Sequence, residues 1–140
     1  MKAKVPVSVN VAPVIPGLTD AELPAILKAV ADAGCTRVAW ALLRLPYQVK
    51  DLFLDWLERS VHPSRGARVE SLIRQSRGGK LYDAALGSRR RGRGPIVEQL
   101  AQTFDVFCRR YGLNRDVRPL SSKYFRPPPL HGQMSLFDAS

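Results

Sequence analysis

Apolar and polar residues alternate one for one at the start of the chain. Val5, Val7, Val9 and Val11 fall on one face, and Pro6, Ser8, Asn10 and Ala12 on the other. That period of two predicts a strand over residues 5–12. A turn over 13–18 follows. Thr19 and Glu22 then stand at capping-box spacing: the hydroxyl is expected to accept from the Glu22 backbone N–H, and the carboxylate to reach back. Asp20 adds negative charge at the positive end of the helix so begun. Leu23, Ile26, Leu27 and Val30 recur at helical spacing, Pro24 sits early enough to be tolerated, and Gly34 supplies a left-handed cap. Residues 36–45 read as a second strand stopped by Pro46. Strand, capped helix and strand make a βαβ unit with a parallel pair.

The pattern then turns fully helical. Over 47–62, Val49, Leu52, Phe53, Trp56 and Leu57 share a face, and Pro63 is expected to close the helix. A shorter basic helix is predicted over 67–75, with Val69, Leu72 and Ile73 inward. Residues 76–94 are rich in Gly and Arg without a period and read as a loop. Pro95 opens a last helix to about Tyr111, with Val97, Leu100, Phe104, Phe107 and Cys108 near one face and Gly112 as cap. The remainder, with Pro127, Pro128 and Pro129, reads as an extended tail. Two strands alone do not make a stable open sheet. The chain is therefore expected to be a fragment, or to borrow a partner's sheet.

Composition narrows the classes. At 140 residues the chain falls short of a complete (βα) barrel, which needs about 200 or more. A hydrophobic share of 45% with 24% charged residues is a globular balance. The net charge of +10 points to a polyanion, nucleic acid first. Between residues 65 and 93 there are nine cations against Glu70 and Asp83, a local excess of 9 − 2 = +7. Arg74, Arg77, Lys80, Arg89, Arg90, Arg91 and Arg93 are expected to bind nucleic acid, contacting phosphates without reading bases. Cys35 and Cys108 are too far apart in sequence to begin a zinc or iron–sulfur site, and His62 and His131 do not complete one. No stretch has the length of a membrane span and no secretory leader is apparent, so a cytoplasmic protein with reduced thiols is expected.

The run Ala-Pro-Val-Ile-Pro-Gly-Leu-Thr-Asp, residues 12–20, resembles the fifth-strand exit of radical S-adenosylmethionine barrels, G-x-I-x-G-x-x-E. Here the pattern reads Pro13, Ile15, Gly17 and Asp20. "VAPVIPGLTD", "LLRLP", "RGGKLYD", "GSRRRGRG" and "GQMSLF" together resemble the spore-photoproduct-lyase-like branch of that family over nearly the whole chain. The resemblance implies an α/β fold: the last two parallel βα units of a partial (βα)6 radical SAM barrel over 1–62. A basic helical extension over 63–112 and a flexible Pro-rich tail over 113–140 would follow.

It also implies a cofactor rim at the strand ends. Ile15 would offer an apolar face to adenine, Gly17 would let the backbone approach, and Arg44 and Asn10 would bind polar groups of S-adenosylmethionine or substrate. The family's [4Fe-4S] cluster is held by Cys-x-x-x-Cys-x-x-Cys, and this sequence has no such triplet. A missing N-terminal barrel half would carry it, and the chain alone would be catalytically incomplete. DNA repair or nucleic-acid modification is the activity expected of the parent. Finally, Gln133, Met134, Ser135, Leu136 and Phe137 resemble the pentapeptide with which bacterial repair proteins dock on the sliding clamp. A non-enzymatic DNA-associated module tethered in that way is the alternative.

Overall fold

A computed structural model describes residues 7–81, 92–115 and 121–126. They form β1 (Ser8–Val14), a 3-10 turn (Asp20–Glu22), α1 (Leu23–Asp32), β2 (Arg37–Leu42), α2 (Val49–Ser60), α3 (Pro63–Gln75) and α4 (Pro95–Tyr111). The expected βαβ unit is present: β1 and β2 pair in parallel, from Ser8 opposite Arg37 to Val11 opposite Trp40.

β1 runs further than its valine alternation predicts. It continues through a cis Ala12–Pro13 bond to Val14, which lies opposite Leu42, so β1 gains one residue over β2. Proline has no N–H to give to a ladder and belongs at such a bulge. The extra residue reverses the alternation. Val14 therefore turns to the same side as Val9 and Val11 and is fully buried. The turn expected at 13–18 begins only at Ile15 as a result.

One face of the sheet is covered. Val9, Val11, Val38 and Trp40 pack with Leu23, Leu27 and Val30 of α1 and Phe104 and Cys108 of α4. Each buried aliphatic side chain contributes about 1.5–3 kcal/mol relative to exposure. Trp40 and Phe104 are tilted, with ring centroids 6.3 Å apart. On the other face Ser8, Asn10, Ala12 and Ala39 are exposed. Gly34, at φ +80°, ends α1 as predicted, with Cys35 N–H donating to the Val30 carbonyl at 3.2 Å.

Past α4, Gly112 turns left-handed and brings Asn114 alongside β2. Its carboxamide takes both backbone groups of Val38: Val38 N–H donates to Oδ1 at 2.9 Å, and Nδ2 donates to the Val38 carbonyl at 2.8 Å. Asn114 N–H donates to the Thr36 carbonyl at 2.8 Å. Asn114 itself has φ +57°, a region that asparagine tolerates better than most residues. Nothing in the hydrophobic pattern pointed to this clasp.

A second core forms beyond the strand ends, from Leu45, Leu57, Val69, Ile73 and Leu81 with Ile15, Leu18 and Leu43 against it. Two expectations change here. Pro63 does not simply close α2; it opens α3, where its missing N–H would have no partner anyway. The apolar face of α2 is also mostly uncovered: Val49, Leu52 and Trp56 are exposed and Leu57 alone of the helix is buried. Leu57 seats directly over buried Gly66 of α3, where an added Cβ would meet Leu57 Cγ at 3.6 Å, and Phe53 packs half-buried against the same core, which leaves the other three residues of the stripe outside it. Among the described residues no helix is long and apolar enough to cross a membrane.

Candidate functional site

The bend leaving β1 is built from its own polar groups. Ile15 N–H donates to Thr19 Oγ1 at 2.9 Å, and Gly17 N–H to Asp20 Oδ2 at 2.9 Å. Leu18 and Thr19 N–H groups both donate to the Ile15 carbonyl at 3.0 Å. Thr19 thus spends its hydroxyl on the bend, not on Glu22, and the expected capping box is not formed. Asp20 does cap locally, with Ala21 N–H on its other oxygen at 3.0 Å. Gly17 has φ +77°, and a Cβ there would meet Leu72 Cδ1 of α3 at 2.9 Å. The conformation favours glycine, and any larger residue would also have to displace the Leu72 side chain.

The four rim residues are brought to different settings. Ile15 is half-buried against the second core, and the Gly17 N–H is already bonded. Asn10 is exposed on the open face of the sheet, opposite Ala39. Arg44 follows β2, and its Nε is buried with no hydrogen-bond partner. An orphaned guanidinium nitrogen costs desolvation until an acceptor meets it, which suits a carboxylate or phosphate.

The basic stretch divides over two cavities. One, of 570 Å³, is lined by Gly17, Asp20, Ser64, Arg65 and Arg68. Arg65 leans over the bend, with Nη2 3.4 Å from the Leu18 carbonyl. The other, of 480 Å³, is lined by Leu45, Tyr47, Lys50, Arg74, Gly79, Lys80 and Leu81. Arg74 gives Nε and Nη2 to Glu70 Oε1 at 3.0 and 2.7 Å. Arg77 does not belong with the surface cations. It is 6% exposed, and its Nη2 donates to the Leu43 carbonyl at 2.9 Å, a structural tie to the end of β2. Arg93 is exposed, with its N–H on the Ser76 carbonyl at 2.9 Å. Arg89, Arg90, Arg91 and the tail residues Gln133, Met134, Leu136 and Phe137 lie outside the described residues.

Sequence reasoning missed Tyr47 and Lys50. Both fell inside the helix expected over 47–62; Lys50 does lie in α2, whereas Tyr47 stands in the turn before it at φ +46° and is 85% exposed. The signal available was Pro46, which forces a break before the helix. Both cysteines are free thiols; Cys35 is half-buried and Cys108 buried. Burial, with help from the Asp105 charge, pushes the Cys108 thiol up to about 11, so it is no nucleophile at neutral pH. Among the described residues no group of three His, Cys, Asp or Glu side chains could hold a metal ion. Comparison with protein-family models, curated proteins and solved structures finds no match to this chain.

Proposed function

We propose that this chain is the C-terminal part of a radical S-adenosylmethionine protein of the spore-photoproduct-lyase-like branch, and that it acts on DNA in the cytoplasm. The observation that carries the reading is the asymmetry of its sheet. Parallel sheets ordinarily have both faces covered. Here one face is under α1 and α4, and the other presents Ser8, Asn10 and Ala12 to solvent. Asn114 occupies β2 at Val38, which leaves β1 as the strand at which further strands would add. Strands added there would close the small, polar face into an interior and keep the valine face beneath helices. The unpartnered Arg44 Nε then supports a place for an anionic group of S-adenosylmethionine or substrate at that interior's rim.

The chain's own residues do not fit an iron–sulfur cluster, since Cys35 and Cys108 are its two thiols. Cluster ligands would come from the preceding half of the barrel, and the chain alone is catalytically incomplete. The direct test is the coding sequence upstream of Met1. An open frame encoding Cys-x-x-x-Cys-x-x-Cys is expected; a stop codon and ribosome-binding site there, with no separately encoded half that co-purifies, would remove the enzyme reading.

DNA is supported by the clustered cations. With about four phosphate contacts, log K should fall against log salt with a slope of about −3.6. The second reading, a non-enzymatic module on the sliding clamp, shares this basic surface and adds the pentapeptide Gln133–Phe137. Titration of the chain against a bacterial clamp separates the two. Saturable binding abolished by Phe137→Ala supports the module; equal binding after the substitution excludes it.

A further inference from the structure

We infer that the cavity at the β2–α2 junction receives an unpaired nucleotide, with the base on the ring of Tyr47 and the phosphate among Lys50, Arg74 and Lys80. This rests on the DNA reading above and specifies which form of nucleic acid the surface takes. Tyr47 is 85% exposed, the largest exposure among the large hydrophobic side chains described. Its backbone sits at φ +46°, a conformation costly for an aromatic residue. Such outliers persist where the surroundings hold them, and they gather at ligand sites. An exposed aromatic ring beside a cationic groove is the arrangement with which single strands are bound: the ring takes a base face and the cations follow the backbone.

The cations meet this requirement. Lys50, Arg74 and Lys80 line the same 480 Å³ cavity as Tyr47, and among the described residues no acidic side chain lines it. Arg74 commits two donors to Glu70, which lines the neighbouring cavity on the other side of Arg74. A guanidinium has five N–H donors, so three are left for a phosphate. Lys50 lies 3.4 Å from Asp51, on an exposed pair that phosphate can outcompete. At the rim, Gly79 has φ +88° and nothing within 4 Å of where a Cβ would stand. Its bare backbone lets a sugar–phosphate chain come close. A paired base has both faces stacked, so a duplex cannot use the ring, whereas an unstacked base can.

The test is fluorescence anisotropy of the full chain with a labelled single-stranded oligodeoxynucleotide, the duplex of the same sequence and, by competition, a free mononucleotide. The single strand should bind about ten-fold more tightly than the duplex. Tyr47→Ala should weaken single-strand binding about ten-fold and leave duplex binding unchanged. Tyr47→Phe should bind as the parent does, which separates loss of the ring from loss of the fold. Lys80→Gln should lower the salt slope by about one. Competition by the mononucleotide at this site would identify a small-molecule source, and its absence a strand. If Tyr47→Ala and the parent bind the single strand equally, the site is wrong and the DNA reading stands. If no DNA binds but a mononucleotide does so through Tyr47, the DNA reading fails and the site stands. If no nucleotide binds in any form, both fall.

Discussion

Arg77 and Arg68 carry the same charge to opposite ends. The Arg77 guanidinium is buried on the Leu43 carbonyl, and Arg68 is exposed at the rim of the cavity beside Gly17. Arg77→Met should lower stability by about 2 kcal/mol, the value of a charged hydrogen bond, and leave the salt dependence of DNA binding unchanged. Arg68→Gln should leave stability within about 0.5 kcal/mol and make the salt slope shallower. Urea melts and binding isotherms on both variants check the pair. Cys108 gives a pH signature. Its thiol is raised from 9.0 to about 11 in the fold, chiefly by burial, so the unfolded chain releases the proton first. The stability it confers is complete below pH 9.0 and drains away as pH rises to about 11. Cys108→Ala should therefore lose less stability over that window than the parent does, as followed by urea midpoints.

At the level of elements, Asn114 links α4 to the edge of β2. Asn114→Ala would leave both Val38 groups without their partner and put a Cβ residue without the carboxamide at φ +57°, costing about 2–3 kcal/mol. Asn114→Gly relieves the backbone alone and should recover part of that loss, which thermal melts can resolve. α2 should be the first helix to open. It buries Leu57 and leaves Val49, Leu52 and Trp56 in solvent, so its amides should exchange hydrogen well before those of α1 and α4. The elements were legible where periodicity and punctuation agreed. α4 begins at Pro95 and ends at Tyr111 as read, and Gly34 and Gly112 cap as read. What could not be read was which apolar stripe finds a partner: α2 and α4 both carry a clear stripe, and only tertiary placement leaves Val49, Leu52 and Trp56 of α2 exposed. Nor could pattern reveal that Thr19 would turn back to Ile15, because one hydroxyl can serve either helix or bend.

Across the whole molecule the apolar residues do not gather into one centre. A core under the sheet joins α1 to α4, and a second one beyond the strand ends joins the β1 bend to α2 and α3. Val11 and Trp40 connect the sheet core to the small cluster of Val14, Leu42, Val97 and Leu100. The candidate rim was only partly legible for this reason. Ile15 and Gly17 were read as lining an opening, but the second core claims Ile15 and the bend's own carboxylate claims the Gly17 N–H, leaving Arg44 as the member with an unmet polar atom. The clasp by Asn114 sets how copies of the chain could meet. A visiting strand must evict the carboxamide before it can lie along β2 at Val38, so contact between two copies through their sheets is directed to β1 against β1. Such a self-matched join consumes the same edge on both sides. It ends at a pair, and on the far edge of each sheet the Asn114 clasp guards β2 at Val38 against a further strand.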